Sequence, residues 1–85
     1  MSLAALPIFV KLAGRPVILI GEGEAANARR RLLERAGARI VDESGEAALA
    51  IVADGDPAPI VARLRAPGIL VNAVGRGRLC DFTLS

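Results

Sequence analysis

The chain has no histidine, tryptophan or tyrosine, and only one cysteine and two phenylalanines in 85 residues. Without histidine, ordinary zinc sites and Ser–His or Cys–His nucleophile pairs are excluded, and a lone Cys80 excludes an internal disulfide framework. Any chemistry falls to carboxylates, arginines or a bound cofactor; no metal site is expected and no residue stands out as catalytic. Phe9 and Phe82 are the only aromatics and the net charge is only +2. A nucleic-acid partner is therefore not expected, since it calls for a concentrated basic patch with stacking rings. No apolar run approaches the roughly 20 residues of a membrane span, and the first residues lack the charged-then-apolar pattern of a signal peptide. The expectation is a cytoplasmic chain with no membrane partner.

What is present is aliphatic. Apolar residues make up 53% of the chain, so a core must be built from Ala, Val, Leu and Ile at close backbone approach, which suits helices lying tightly on a sheet. The length allows one small domain, residues 1–85, burying a smaller share of its surface than a longer chain would.

The run Val17-Ile18-Leu19-Ile20 breaks at Gly21-Glu22-Gly23 into the helix-forming sequence Glu24-Ala25-Ala26. A continuous apolar run reads as a buried parallel strand. Gly21 permits a sharp turn, Gly23 has no Cβ to hold a phosphate away from backbone N–H groups, and Ala26 takes the third small position of G-x-G-x-x-G/A. Gly21, Glu22, Gly23, Glu24 and Ala25 are thus candidates for the pyrophosphate of a dinucleotide, held by helix-start N–H groups and the helix dipole. The same turn also serves simply to pack a helix on a strand, and the carboxylates of Glu22 and Glu24 sit awkwardly beside an anion.

Along the chain, an apolar lead-in from Leu3 to Leu12 ends at the turn Ala13-Gly14-Arg15-Pro16. A first strand is expected over 16–20 and a first helix over 24–36, with Ala25, Ala28, Leu32 and Ala36 on its inner face, Leu33 widening that stripe, and Gly37 as its stop. Strands are expected at 38–41, 48–53 and 69–74, and a second helix from Pro57 or Ala58 to about Ala66, with Ile60, Val61 and Leu64 inward. The tail 79–84 is either a further short strand or unpaired. Strands alternating with helices predict a small Rossmann-like α/β fold: a parallel sheet of about four strands in the order second, first, third, fourth, with helices on its faces.

Asp42 and Glu43 lie about twenty residues beyond the turn, where a carboxylate at the second strand's end takes the adenosine ribose hydroxyls and favours NAD. Asp42 is the stronger candidate, and a solvated turn carboxylate is the plain alternative. Ala53 and Asp54, at the end of the third strand, complete the candidate cofactor set, while Asp56 reads as a cap of the following helix. Arg29, Arg30 and Arg31 point about 100° apart on a helix and read as a solvated face. Arg76 and Arg78, in a glycine-flanked loop, are either contacts for carboxylates of an acidic ligand or loop solubilisers. Asn72 is placed to bridge loops, and Cys80 reads as a small apolar filler.

From Leu6 to Phe82 the chain resembles the N-terminal domain of the siroheme synthase family, the precorrin-2 dehydrogenase/sirohydrochlorin ferrochelatases. Leu6-Pro7-Ile8-Phe9-Val10-Lys11-Leu12 with Gly14-Arg15 is similar to the family's L-P-(I/L)-F-x-x-L-x-(G/D)-(R/K). Gly21 to Ala26 with Arg29, Leu32-Leu33 and Ala36-Gly37-Ala38 is similar to G-G-G-x-V-A-x-R-K-x-x-x-L-L-x-A-G-A. Ala50 to Pro57 resembles A-x-A-A-T-D-D-P, and Val71-Asn72-Ala73-Val74 with Leu79-Cys80-Asp81-Phe82 resembles V-N-V-V-D-D-P-x-L-C-D-F. The resemblance implies a Rossmann domain that binds NAD and oxidises precorrin-2 towards sirohydrochlorin, in a family that also inserts iron and is typically dimeric. It implies a tetrapyrrole as substrate and a homodimer or a completing chain as partner. Two departures stand out: Gly75 replaces the family's aspartate, and the segment between the second and third strands is much shorter. Relative to the family the domain is truncated or miniature. A non-catalytic mini-Rossmann remnant that binds a nucleotide or a protein is the alternative function.

Overall fold

The strand β1, Pro16–Gly21, is buried on both faces, because Val17, Ile18 and Leu19 all face protein. The computed structural model describes residues 6–84, and the start of the apolar lead-in lies outside them. Pro16 opens the strand, where its missing N–H costs no ladder bond. Three further strands, β2 (Arg39–Val41), β3 (Leu49–Ala53) and β4 (Leu70–Ala73), join it in a parallel sheet of order β2-β1-β3-β4. That is the order expected from the alternation of elements.

Two helices cover opposite faces. Helix α1, Glu24–Arg35, packs Leu33 against Val17, Leu19 and Ile51, whereas helix α2, Ala58–Arg65, packs Val61 and Leu64 against Ile18, Ala50, Val52, Val71 and Ala73. Alternate residues of each strand therefore feed different half-cores. Both helices end in the same device. Gly37 donates to the Glu34 carbonyl and Ala38 to Leu33, and likewise Gly68 donates to Arg65 and Ile69 to Leu64, with each glycine at positive φ. This is the Schellman arrangement, which satisfies carbonyls left over at a helix end and turns the chain towards the next strand.

The inner face of α1 differs from the expected one. Leu33 is buried and Leu32 half-buried as expected, but Ala26 is buried and Arg29 half-buried beside them, whereas Ala25, Ala28 and Ala36 are exposed. The Arg29 Nε is buried without a hydrogen-bond partner, so this residue does not belong to the solvated arginine face.

The connection from β2 to β3, Asp42 to Ala48, is seven residues long. A parallel crossover usually takes a dozen or more residues, most often a helix. Here Val41 and Ala47 settle on the α2-side core and Glu43 makes a two-pronged ion pair with Arg63 of α2, at 2.8 and 2.9 Å. A loop thus lies where a helix is usual.

After β4 a short 3-10 turn, Gly77–Leu79, leads into a tail that does not form a strand. Instead the tail lines the outer edge of β4 largely through side chains. The Val71 N–H donates to the Asp81 carboxylate (3.0 Å) and the Ala73 N–H to the Cys80 sulfur (3.3 Å), while the Asp81 N–H donates to the Val71 carbonyl (2.7 Å). Leu79 and Cys80 pack on the α2 side, and Phe82 and Leu84 on the α1 side. An exposed strand edge invites pairing with another chain; this tail occupies it.

Candidate functional site

Four loops meet at the carboxyl edge of the sheet, the place where open α/β sheets bind ligands. The central one follows β1. Gly21 has φ +123°, and a Cβ built on it would drive into the Ala53 carbonyl group, whose carbon lies 2.6 Å away. This glycine is required by the close approach of β3, which places Ala53 and Asp54 directly beside the turn.

Gly23 is required for a different reason. It is the N-cap of α1 with φ 94° and ψ −170°, a combination essentially restricted to glycine, and a Cβ there would meet nothing within 4 Å. The space in front of it is open. No side chain caps the helix, so the N–H groups of its first turn carry the partial positive charge of the helix end without a protein acceptor. An open glycine before uncapped N–H groups fits a phosphate of a dinucleotide. Glu22 and Glu24 flank it and are both exposed.

The two carboxylates after β2 separate. The Asp42 Oδ1 accepts from the Ser44 N–H and hydroxyl, and these bonds hold its carboxyl below the usual range. Glu43 turns to α2, where the hydrogen bond from Arg63 keeps it ionised to lower pH. The sequence carries no signal for that pairing, since the partners are twenty residues apart on different elements. Strand β2 also stops early: Val41 pairs with Ile18, three residues before Gly21. Asp42 accordingly sits roughly 7 Å back from the turn along the strand direction.

Both partners of the Glu43–Arg63 pair are exposed, and such pairs contribute little to global stability. Glu43→Gln should leave the melting temperature within about 2 °C of the parent. Its effect should appear locally, as faster hydrogen exchange at the Gly45 to Ala47 amides. Unchanged exchange there would show that the ion pair does not hold the crossover.

In the loop after β3, the Asp56 N–H donates to the Asp54 carboxylate at 2.9 Å. Asp56 does not cap α2, contrary to expectation: Pro57 takes the N-cap position and no side chain bonds there. The loop after β4 is joined to this one by Arg76, whose Nη2 donates to the Gly55 carbonyl. Asn72 bridges as expected, donating to the Phe82 carbonyl at 2.9 Å from a nearly fully buried position. Cys80 is more than a filler, because its thiol bonds both the N–H and the carbonyl of Ala73. Among the described residues, no three His, Cys, Asp or Glu side chains converge as a metal site, and no helix is long and apolar enough to cross a membrane.

No known family profile matches the chain. Individual proteins do. A siroheme synthase of Ectopseudomonas mendocina is 36% identical over 105 aligned positions, covering 89% of this chain and 23% of that protein. Siroheme synthase 2 of Aeromonas hydrophila is 56% identical over 41 residues, 48% of this chain and 9% of its own length. A glutamyl-tRNA reductase of Sorangium cellulosum is 48% identical over 59 residues, 65% of this chain and 11% of that protein. The chain therefore spans less than a quarter of each of these relatives. The first alignment is longer than the chain itself, so that relative carries residues within the matched region that are missing here. With a four-stranded parallel sheet, the glycine turn and the Asn72 to Phe82 segment in place, and this identity across nearly the whole chain, the protein belongs to the siroheme synthase N-terminal domain family.

Proposed function

We propose that this chain is a nucleotide-binding domain of siroheme synthesis that holds NAD across the turn from Gly21 to Ala25. The observation that carries this reading is Gly23, held in a glycine-only conformation with open space before it at an uncapped helix start. Gly21 and Gly23 would let the pyrophosphate approach, and the N–H groups of Glu24 and Ala25 would donate to it. The exposed side chain of Glu22 would stay in solvent. Asp42, kept ionised by Ser44, would accept the adenosine ribose hydroxyls and disfavour a 2′-phosphate, with Glu43 beside it held on Arg63. Ala53 and Asp54 would border the half of the nucleotide nearer β4.

When bound, NAD supplies a hydride acceptor, which in this family serves precorrin-2 oxidation. The chain's own part is to bind and orient. Position 75 offers no side chain to move a proton, being a glycine at φ +76°. The rest of a tetrapyrrole site would come from a second copy or a completing chain, in the cytoplasm. Gly75 favours a second reading as well, a nucleotide-binding module with no reaction of its own.

The expected result of titrating the isotope-labelled chain with NAD is saturable amide shifts at Gly21 to Ala25, extending to Ala53 and Asp54. Gly23→Ala, whose added methyl meets no protein atom within 4 Å though its backbone is strained at φ 94°, should weaken NAD at least about tenfold, equivalent to ~1.4 kcal/mol, with circular dichroism reporting how much of each sample is folded. The absence of saturable shifts at millimolar NAD would sink the proposal; binding without precorrin-2 oxidation would select the second reading.

A further inference from the structure

Among the described residues, the most exposed large apolar side chains gather in one short segment. Leu6, Ile8, Phe9 and Val10 are 76%, 68%, 104% and 50% exposed, and the stretch from Leu6 to Leu12 forms neither helix nor strand. Ile8, Phe9 and Val10 are consecutive, and consecutive side chains point different ways in helix and strand alike, so no flat surface covers all three. The segment is nonetheless rooted. Leu12 packs on the α1-side core, and the Arg15 N–H donates to the Leu12 carbonyl at 2.9 Å. The Gly14 N–H donates to the Gly37 carbonyl and the Arg39 N–H to the Arg15 carbonyl, each at 2.8 Å. The start of β1, the end of α1 and the start of β2 therefore meet where the segment leaves the domain.

Each of these pieces brings a cation. Lys11, Arg15, Arg35 and Arg39 are all exposed, and among the described residues no carboxylate lies within 4 Å of any of them, in contrast to Arg63 and Arg65. The nearest acids in the chain are Glu34, next to Arg35, and Asp42, three residues past Arg39, whose carboxylate is engaged by Ser44. Glu34 alone is left to oppose the four cations. Apolar exposure and positive charge thus coincide at one corner, the amino edge of β1 and β2.

We propose that this corner docks on an anionic bilayer surface, with Leu6 to Val10 entering the boundary between headgroups and acyl chains and Lys11, Arg15, Arg35 and Arg39 lying against the lipid phosphates. Lipid surrounds side chains whichever way they point. A short apolar anchor and a basic cluster beside it supply the two signals that stable attachment needs. A second copy fits the corner less well, because an isologous contact there would set the same cations against each other. The expectation of no membrane partner rested on the lack of a spanning run, and lying on a bilayer requires none. The corner is about 17 Å along β1 from the glycine turn, so the docked domain keeps its carboxyl edge away from the lipid. The proposal goes beyond the nucleotide reading and is measured without nucleotide.

The test is flotation of the full chain with vesicles of mixed phosphatidylglycerol and phosphatidylcholine, and with vesicles of phosphatidylcholine alone. Binding should be at least about tenfold stronger on the anionic vesicles and should weaken as salt is raised. Phe9→Ser, and the double change Arg35→Gln with Arg39→Gln, should each weaken it at least about fivefold. Arg78→Gln, which removes a charge at the far edge of the sheet, should not. Because the chain has no tryptophan, Phe9→Trp supplies a single fluorescent reporter. Its emission should move to the blue with anionic vesicles and stay unshifted at every protein concentration without lipid. Equal binding to both vesicles, binding to neither, or binding that survives the Phe9 and arginine substitutions would overturn the proposal. So would a blue shift that grows with protein concentration in the absence of lipid, which would give the segment to a second copy. Failure of NAD binding would instead be read at the amides of Gly21 to Ala25.

Discussion

Gly21→Ala should cost roughly 3–5 kcal/mol, enough to leave so small a domain largely unfolded at room temperature. Two effects add. At φ +123° a non-glycine residue is strained by about 1–3 kcal/mol, and the new methyl must displace the backbone of Ala53, which cannot swing away as a side chain does. Because Gly21 pairs with Ala53 in the β1–β3 ladder, relief would require breaking the central pairing of the sheet. Gly55→Ala is the matched control: a Cβ there meets nothing within 4 Å, and a change within about 0.5 kcal/mol is expected. Urea unfolding followed by circular dichroism reads both. If Gly21→Ala stayed within 1 kcal/mol of the parent by that measurement, the turn would not depend on close approach to β3.

The second large effect is expected at Asp81, whose carboxylate accepts from the Val71 N–H and pairs with Arg65, each at 3.0 Å. Asp81→Ala leaves a strand N–H without its acceptor and a cation without its partner. The side chains of Asp81 and Arg65 remain 28% and 38% exposed, so screening limits the loss to about 1–2 kcal/mol. Asp81→Asn keeps an acceptor oxygen for Val71 and should lose about half as much. The alanine variant also uncovers the β4 edge, so sedimentation should show more self-association than in the parent at the same concentration. Acid should act in the same way. The hydrogen bond from Arg65 depresses the Asp81 carboxyl below its ordinary 3.8; its stabilisation is complete above that value and is lost as pH falls through the lower folded value. An alanine variant with parent stability and an unchanged acid transition would remove Asp81 from the account of how the edge is held.

Strand order was legible in the sequence because apolar runs, glycine stops and helical spacing repeat in one pattern, and parallel βαβ chirality admits few arrangements. The inner face of α1 was legible only at Leu32 and Leu33, not among its alanines. In a helix this rich in alanine, several stripes spaced three and four apart look equally apolar, and alanine buries too little area to choose among them. Leu33 decides the matter, bringing Ala26 inward and Arg29 with it. The glycine turn was visible as a motif, but the separate reasons for its two glycines were not, since one depends on β3 and the other on open space. Asp56 misled because an aspartate before Pro57 resembles a cap; its N–H turns instead to Asp54 within the loop. The tail's pairing through Cys80 and Asp81 side chains has no periodicity to detect.

The seven-residue crossover also bears on how the chain finds its fold. Pairing β3 with β1 brings Val17 to Leu49, 32 residues apart, and every residue omitted from the connection shortens the loop that must close before the central ladder gains anything. The entropic saving is slight, a few tenths of a kcal/mol, because closure cost grows only with the logarithm of length. The kinetic gain is larger in kind: lower contact order speeds the search, and parallel sheets are the slow, aggregation-exposed case. The short connection therefore narrows the time during which unpaired strands stand open in the nascent chain.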